Sequence, residues 1–571
     1  MRQLAKGFAK ISPWLVAAAV IVGCGDDSAM MGDPGEDHYA PGYNENEGEG
    51  DFGDNMATGN SENQSQAPDE DFEPEEEEFL VQQVAATDSY VFVPNQTEDS
   101  DTVALIDGRD FGVRPIRVGL EPVQVVAADI EEQGSVGYVL SAGQPTVSII
   151  RADQGSGNSA ADVQILSVPW EVNQLALSPD GTHVIAYIDP EKPINDSASA
   201  ASLQTMALIR LGDEPGDDEV YELSVTRRID DIAFTEDGDQ AFVVGEEGIN
   251  RLPLRDIKSD AFIPAIDLEL STSVFSPQDQ EVAFSSDGTL MAMRTSQYEG
   301  LGLFELDPEE SVVESSRMIE LSGIPTDLDL VERDDGSKLA VATIRSESQI
   351  ALFDVDEALE ADEEDDSFVR TLDASGADAG IGRLTPDETA MTVFSTLTEI
   401  PTVGLLDLET ETIETYEMRN QIRNLEISPD SRTAVAVHRA QEEIGPSNDP
   451  EEEFRRGEGL TLWDLESGYR RPIALRGEPE EILMVSGEQG TAYLYVMLTS
   501  SDSAKQGVKR VNLSTHGTSF LRLPRTPLQL GAVADQVFVS QEAETGRITF
   551  LDVETNAQRT VSGYELNAGI Q

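Results

Sequence analysis

Leu175-Ala-Leu-Ser-Pro-Asp-Gly181, followed two residues later by Val184-Ile-Ala-Tyr187, decides how this chain is read. Two apolar alternating runs flank a Ser-Pro-Asp-Gly corner. Proline presets the first turn dihedral, aspartate bonds back to its own backbone, and glycine accepts a positive φ. The segment therefore predicts a β-hairpin between half-buried strands. The unit returns as Ile232-Ala-Phe-Thr-Glu-Asp-Gly238 before Ala241-Phe-Val-Val244, and as Val282-Ala-Phe-Ser-Ser-Asp-Gly288 before Leu290-Met-Ala-Met293. Weaker copies centre on Asp335-Gly336, Pro386-Asp387 and Pro429-Asp430, and degenerate ones lie near Asp129, Gly487 and Asp535.

A second pattern follows each hairpin, an alternating strand closed by aspartate and an aliphatic residue. It is clear in Val103-Ala-Leu-Ile-Asp107, Leu303-Phe-Glu-Leu-Asp307, Ile350-Ala-Leu-Phe-Asp-Val355, Val403-Gly-Leu-Leu-Asp-Leu408, Leu460-Thr-Leu-Trp-Asp-Leu465 and Ile548-Thr-Phe-Leu-Asp-Val553. Divergent versions lie near Val147, Ala207, Ile249 and Val508. That makes ten such strands across residues 84–571, about one per 49 residues. Short fourth strands follow, at 163–168, 220–224 and 412–417. Four antiparallel strands in each repeat of this length predict an all-β fold, a single large β-propeller of about eight to ten four-stranded repeats. The N-terminal pair, 89–93 with 102–107, is placed to complete a blade with the C-terminal strands and so close the ring. Closure matters because open sheet edges invite aggregation.

The hairpin and the aliphatic-Asp-aliphatic strand together resemble the YVTN and Tol-type propeller repeats, over about residues 87–564. Leu462-Trp463-Asp464 is similar to the end of a WD repeat, although the Gly-His pair that opens such repeats is absent. The resemblance implies a scaffold that carries many activities. Some YVTN-like propellers are lactonases, yet no lactonase site residue can be carried onto this sequence. Only Trp170 and Trp463 lie beyond the leader, too few for the per-blade tryptophan docking of quinoprotein propellers.

Residues 1–24 form an address. Arg2, Lys6 and Lys10 precede a nine-residue apolar run, Trp14 to Val22, too short to span a bilayer as a helix. Ile21-Val22-Gly23-Cys24 resembles the lipobox of a bacterial lipoprotein. The resemblance implies cleavage after residue 23, a diacylglyceryl group on the Cys24 thiol, and an acylated amine, which together give stable membrane anchoring. Cys24 is the single cysteine, so neither an intramolecular disulfide nor cysteine catalysis is available. Asp26 and Asp27 come one place later than an inner-membrane retention signal, which favours the outer membrane. Residues 24–83 then read as the lipidated cysteine with a disordered acidic tether. Its 25–83 stretch holds 19 Asp and Glu with no Lys or Arg. Such a segment cannot bury enough apolar surface to fold, and would reach roughly 40 Å as a relaxed coil.

The whole chain carries 110 acidic and 37 basic residues, a formal charge of −73. This excludes binding to the nucleic-acid backbone and electrostatic docking on anionic lipid. Lysine is scarce, at seven. An acid-rich, lysine-poor surface suits saline surroundings, where screening relieves self-repulsion.

Antiparallel order assigns the loops to two ends of the ring. First-to-second and third-to-fourth turns share one end, here called the turn end. Second-to-third loops and the links between blades share the other, the link end. The long loops 189–203 and 440–459, with the shorter 95–101 and 500–507, cluster on one rim at the link end, where a functional surface and insertions tolerated without function are equally open readings. The acidic loops 212–219 and 354–366 belong to the turn end. They lack the spacing of a calcium loop and read as solvated surface. The histidines, His38, His183, His438 and His516, fall in no metal or catalytic motif, and no nucleophile elbow or P-loop occurs. No catalytic, metal or cofactor residue is assigned, and no cofactor is expected. The sequence thus predicts a lipid-anchored envelope propeller that binds a protein or glycan partner without catalysis. The alternative is a lactonase-like or other hydrolase with a metal in the central channel.

Overall fold

The computed structural model describes residues 85–95, 100–154, 161–189, 204–226, 228–245, 248–268, 280–307, 312–333, 336–362, 365–399, 401–441, 448–487, 490–543 and 545–564. The leader with Cys24, the acidic tether and His38 lie outside the described residues, as do most of the 189–203 loop and part of the 440–459 loop.

The strands of the described residues assemble into ten small sheets arranged in a ring, a ten-bladed β-propeller. The blades run 90–117, 122–167, 174–225, 229–253, 280–320, 327–373, 381–417, 422–474, 478–522 and 527–562, and are numbered 1 to 10 in that order. Within each, successive strands pair antiparallel. The expected corners form as read. In blade 3 the Ser178 hydroxyl donates to Asp180, whose carboxylate also accepts the Thr182 amide, and Gly181 sits at φ 73°. Thr235 and Asp237, Ser285 and Asp287, and Ser428 and Asp430 repeat the first bond at 2.6–2.7 Å. The aspartate that ends a third strand has its own task. Asp107, Asp407, Asp464 and Asp552 accept amides two or three residues on, which fixes the turn into the fourth strand.

Alternate residues of each second and third strand pack against the neighbouring blade. Between blades 2 and 3, Val136, Tyr138, Leu140, Val147 and Ile149 meet Leu175, Val184, Ala186, Ala207 and Ile209. Tyr138, fully buried, also donates its phenol to the Gly181 carbonyl at 2.7 Å. Each such seam removes several aliphatic side chains from water, worth about 1.5–3 kcal/mol apiece.

Two blades depart from the four-strand expectation. The N-terminal pair does not join the C-terminal strands. Tyr90–Pro94, Thr102–Asp107 and Val113–Arg117 form blade 1, and the C-terminal strands make a complete blade 10 of their own. The reason is that residues 85–87 already stand at the inner edge of blade 1. Ala86 bridges Val91, and the Phe92 amide donates to the Ala85 carbonyl at 2.9 Å. The ring closes instead by packing, with Val91, Ala104 and Ile106 of blade 1 against Val533, Phe538, Ile548 and Phe550 of blade 10. In blade 4 the fourth strand is diverted. Ala261–Phe262 pairs in parallel with the outer strand of blade 3, after which Ala265 returns to bridge Asn250. Fully buried Asn250 explains the detour. Its side chain donates to the Ile263 carbonyl and accepts from the Thr226 amide and hydroxyl, so the chain follows the polar group.

Candidate functional site

At the link end, the first strands of five blades enter through one device. A register shift falls between Pro122 and Gln124, Ile229 and Asp231, Ile422 and Asn424, Pro479 and Glu481, and Pro527 and Gln529. In each, a buried residue is followed by a bulged one and then by a polar one. The bulged residues, Val123, Asp230, Arg423, Glu480 and Leu528, are the ones the bulge leaves out of the ladder. Five of the nine large apolar side chains exposed among the described residues stand at this end. They are Val123 and Leu528 at the bulges, Trp170 and Ile324 in links between blades, and Leu397 in a second-to-third loop. Trp170 is the most open of them, at 74%.

The described part of the 440–459 loop is well built. Asp449 caps helix α1 (Pro450–Arg456) by accepting the Glu451 amide, and acids in its first turn and arginines in its last suit the helix dipole. The Gln441 amide and the Asn420 side chain both donate to the Arg455 carbonyl, while the Gln441 side chain reaches the Glu399 carbonyl of blade 7. Phe454 packs edge-on against His438. At the loop's exit, burial, aided by the Glu478 carboxylate, pushes Glu458 up to about 7 against the pull of Arg423 and Arg439.

The turn end corrects the reading of its acidic loops as merely solvated. Each encloses a guanidinium from the preceding blade. Arg151, on the third strand of blade 2, forks onto Asp218 of blade 3 at 2.5 and 3.0 Å, and both side chains are 0% exposed. Arg317, on the fourth strand of blade 5, enters the 354–366 loop of blade 6. It donates to the carbonyls of Ala358, Ala361 and Asp365 at 2.7 Å, Asp362 at 3.0 Å, and the Asp366 carboxylate at 3.2 Å. The Phe368 ring covers its guanidinium at 4.6 Å. Five oxygens thus converge on a fixed side-chain cation, the role a calcium ion plays in other acidic loops. Arg210 and Arg510 likewise reach carbonyls of the following blade's third-to-fourth turn. The sequence carried a faint sign, an arginine on or beside a third strand in several repeats, but their partners lie 40 to 70 residues away.

The histidines are separated and separately held. Buried His438 in blade 8 bonds the Thr461 hydroxyl at 2.7 Å and the Gln421 carbonyl at 3.2 Å, and burial lowers it to about 4. His183 in blade 3 contacts the Thr182 hydroxyl and is also lowered by burial. His516 occupies a turn at φ 56° and stacks on Tyr469. Among the described residues, no group of three or more His, Cys, Asp or Glu is placed to hold a metal ion. A cavity of about 200 Å³ lies at the closing seam, lined by Thr87, Asp88, Asp129 and Val533 among others. Asp129 there already accepts the Asp88 amide and the Ser135 hydroxyl.

No family model matches the chain, and no curated protein sequence matches it. Several solved structures are similar to it in part. One is described as the Dos1 propeller, at 12% identity and TM-score 0.41, covering 65% of this chain and 90% of that one. The dihydro-heme d1 dehydrogenase NirN shows 10% identity and TM-score 0.41, covering 76% of each chain. A putative 6-phosphogluconolactonase from Bacteroides uniformis shows 13% identity and TM-score 0.32, covering 60% of this chain and 92% of that one. At these values no activity passes from them to this chain. Its class, a ten-bladed β-propeller, rests on its own sheets and seams.

Proposed function

We propose that this propeller is a non-enzymatic binding platform of the bacterial envelope. In this reading the chain is exported, anchored through lipid on Cys24 to the outer membrane, and engages a protein or glycan through its link-end rim. The observation that carries the reading is Trp170, 74% exposed in the link between blades 2 and 3, at the end where Val123, Ile324, Leu397 and Leu528 also stand open. Exposed tryptophan on a rigid frame is the side chain that most often dominates binding at an interface. The three described histidines are each held inside separate blades or turns, which favours a platform over a hydrolase. The test is photo-cross-linking in the native envelope from a reactive analogue at position 170, with position 165 on an outer strand as control. A discrete adduct from 170 alone is expected. Equal labelling from both positions, or loss of metal on chelation accompanied by loss of a hydrolytic activity, would overturn the reading.

A further inference from the structure

Two of the link-end bulges hold their seams in the same way with different side chains. In blade 2, Gln124 follows the Pro122 bulge, and its side-chain oxygen accepts the Leu175 amide of blade 3 at 2.8 Å. In blade 9, Glu481 follows the Pro479 bulge, and its carboxyl oxygen accepts the Leu530 amide of blade 10 at 2.7 Å. Both bonds run from the first strand of one blade to the first strand of the next. Glu481 therefore stands at its bulge where blade 2 uses a neutral amide, and it is only 5% exposed.

We propose that Glu481 is a proton-held latch on the seam between blades 9 and 10: its uncharged carboxyl group fills the place of an amide, and ionisation of that group loosens the seam. The surroundings supply no countercharge. On its own strand, Glu478 is engaged by Arg423 of blade 8 at 3.3 Å, and Glu480 accepts from the Thr499 hydroxyl. Opposite it on the second strand of blade 9 is Met497, and across the seam it meets the Leu530 amide. Burial pushes the acid up to about 8, and the Leu530 amide alone opposes this. An isolated buried carboxylate is costly, so the group stays neutral until alkali removes its proton or the seam admits water. The latch ties one seam of the link-end rim to the pH outside.

The experiment is hydrogen exchange on the purified full chain, corrected for intrinsic rates, over about pH 6.5 to about pH 9. Protection of 527–533 is expected to fall up to about tenfold per unit from about pH 6.5 to about 8, where the opened acid is ionised and the buried one is not, and to level off above about 8. It should hold in Glu481→Gln, while 174–177 beside Gln124 stays protected in both. Gln124→Glu should move the behaviour to 174–177, which gives a readout independent of how Glu481→Gln folds. Identical profiles for 527–533 in wild type and Glu481→Gln, or a Gln124→Glu seam indifferent to pH, would overturn the proposal.

Discussion

Replacing Arg317 by alanine isolates what the guanidinium does in the acidic loop of blade 6. The change removes five hydrogen bonds, four of them to backbone carbonyls, and the ring contact with Phe368. The carbonyls of Ala361, Asp362 and Asp365 belong to half-buried or exposed residues and recover water, so most of their bonds are replaced. The Ala358 carbonyl belongs to a short helix, Val355–Glu360, in which Val355 and Ala358 are buried, and the loss of its bond is not replaced. One orphaned buried acceptor at about 1–3 kcal/mol and a partly desolvated cation–π contact at about 1–2 kcal/mol give a loss of about 2–5 kcal/mol. Urea titration followed by fluorescence reads this, and hydrogen exchange should place the loss at 354–369. Arg317→Lys should recover less than half, because an ammonium is a point donor that cannot span five oxygens. Calcium should raise the melting point of the alanine variant and leave wild type unchanged, since it seeks the oxygens the guanidinium vacates. A loss under about 1 kcal/mol with 354–369 still protected would refute the reasoning.

Two further substitutions follow from buried charge. Asp218→Asn leaves Arg151 charged and sealed between blades 2 and 3, which should cost about 3–5 kcal/mol in a denaturant titration. Arg151→Met with Asp218→Leu should return much of it, and a double variant as weak as the single would count against the pairing. His438→Gln tests the opposite sign of titration. The unfolded imidazole takes its proton near 6.5 and the folded one near 4, so the unfolded chain binds more protons between those values. The contribution of His438 is full above 6.5 and lost as pH falls toward 4, about 1.4 kcal/mol per unit. The variant's melting point should therefore fall less steeply than wild type across that window, and parallel curves would show that His438 is not neutral when folded.

What sequence made legible follows from the range of each interaction. The corners were readable because Ser178, Asp180 and Gly181 bond within one turn. All ten third strands were readable, including the divergent ones near Val147, Ala207, Ile249 and Val508, because a buried apolar run survives loss of the terminal aspartate. Closure was misplaced because Val91 and Phe538 meet only after some 450 residues of chain, and no local pattern announces that contact. The arginine cages were missed for a related reason. An acidic loop looks the same in sequence whether water or Arg317 fills it. The bulges were visible in outline as Pro122-Val-Gln124, Pro479-Glu-Glu481 and Pro527-Leu-Gln529, but they mean nothing until the neighbouring strand supplies its amide.

The same cages sharpen the meaning of the net charge. Several of the arginines are withdrawn into seams, Arg151 and Arg317 most deeply, and each of these two is paired with a single carboxylate of the following blade. With 110 acids against 37 bases, much of the exterior carboxylate is left to solvent counterions. Repulsion across a blade acts over tens of ångströms. It is screened within about 8 Å at physiological ionic strength but extends to about 30 Å near 0.01 M. Lowering salt should therefore weaken all blades together, while the sealed clamps, where screening ions do not enter, keep their strength. Dialysis to about 10 mM salt should lower the melting point without changing the Arg151–Asp218 coupling measured by a double-mutant cycle. A melting point indifferent to salt would show that the surface carboxylates are already balanced within the fold, and the saline reading of the composition would fall.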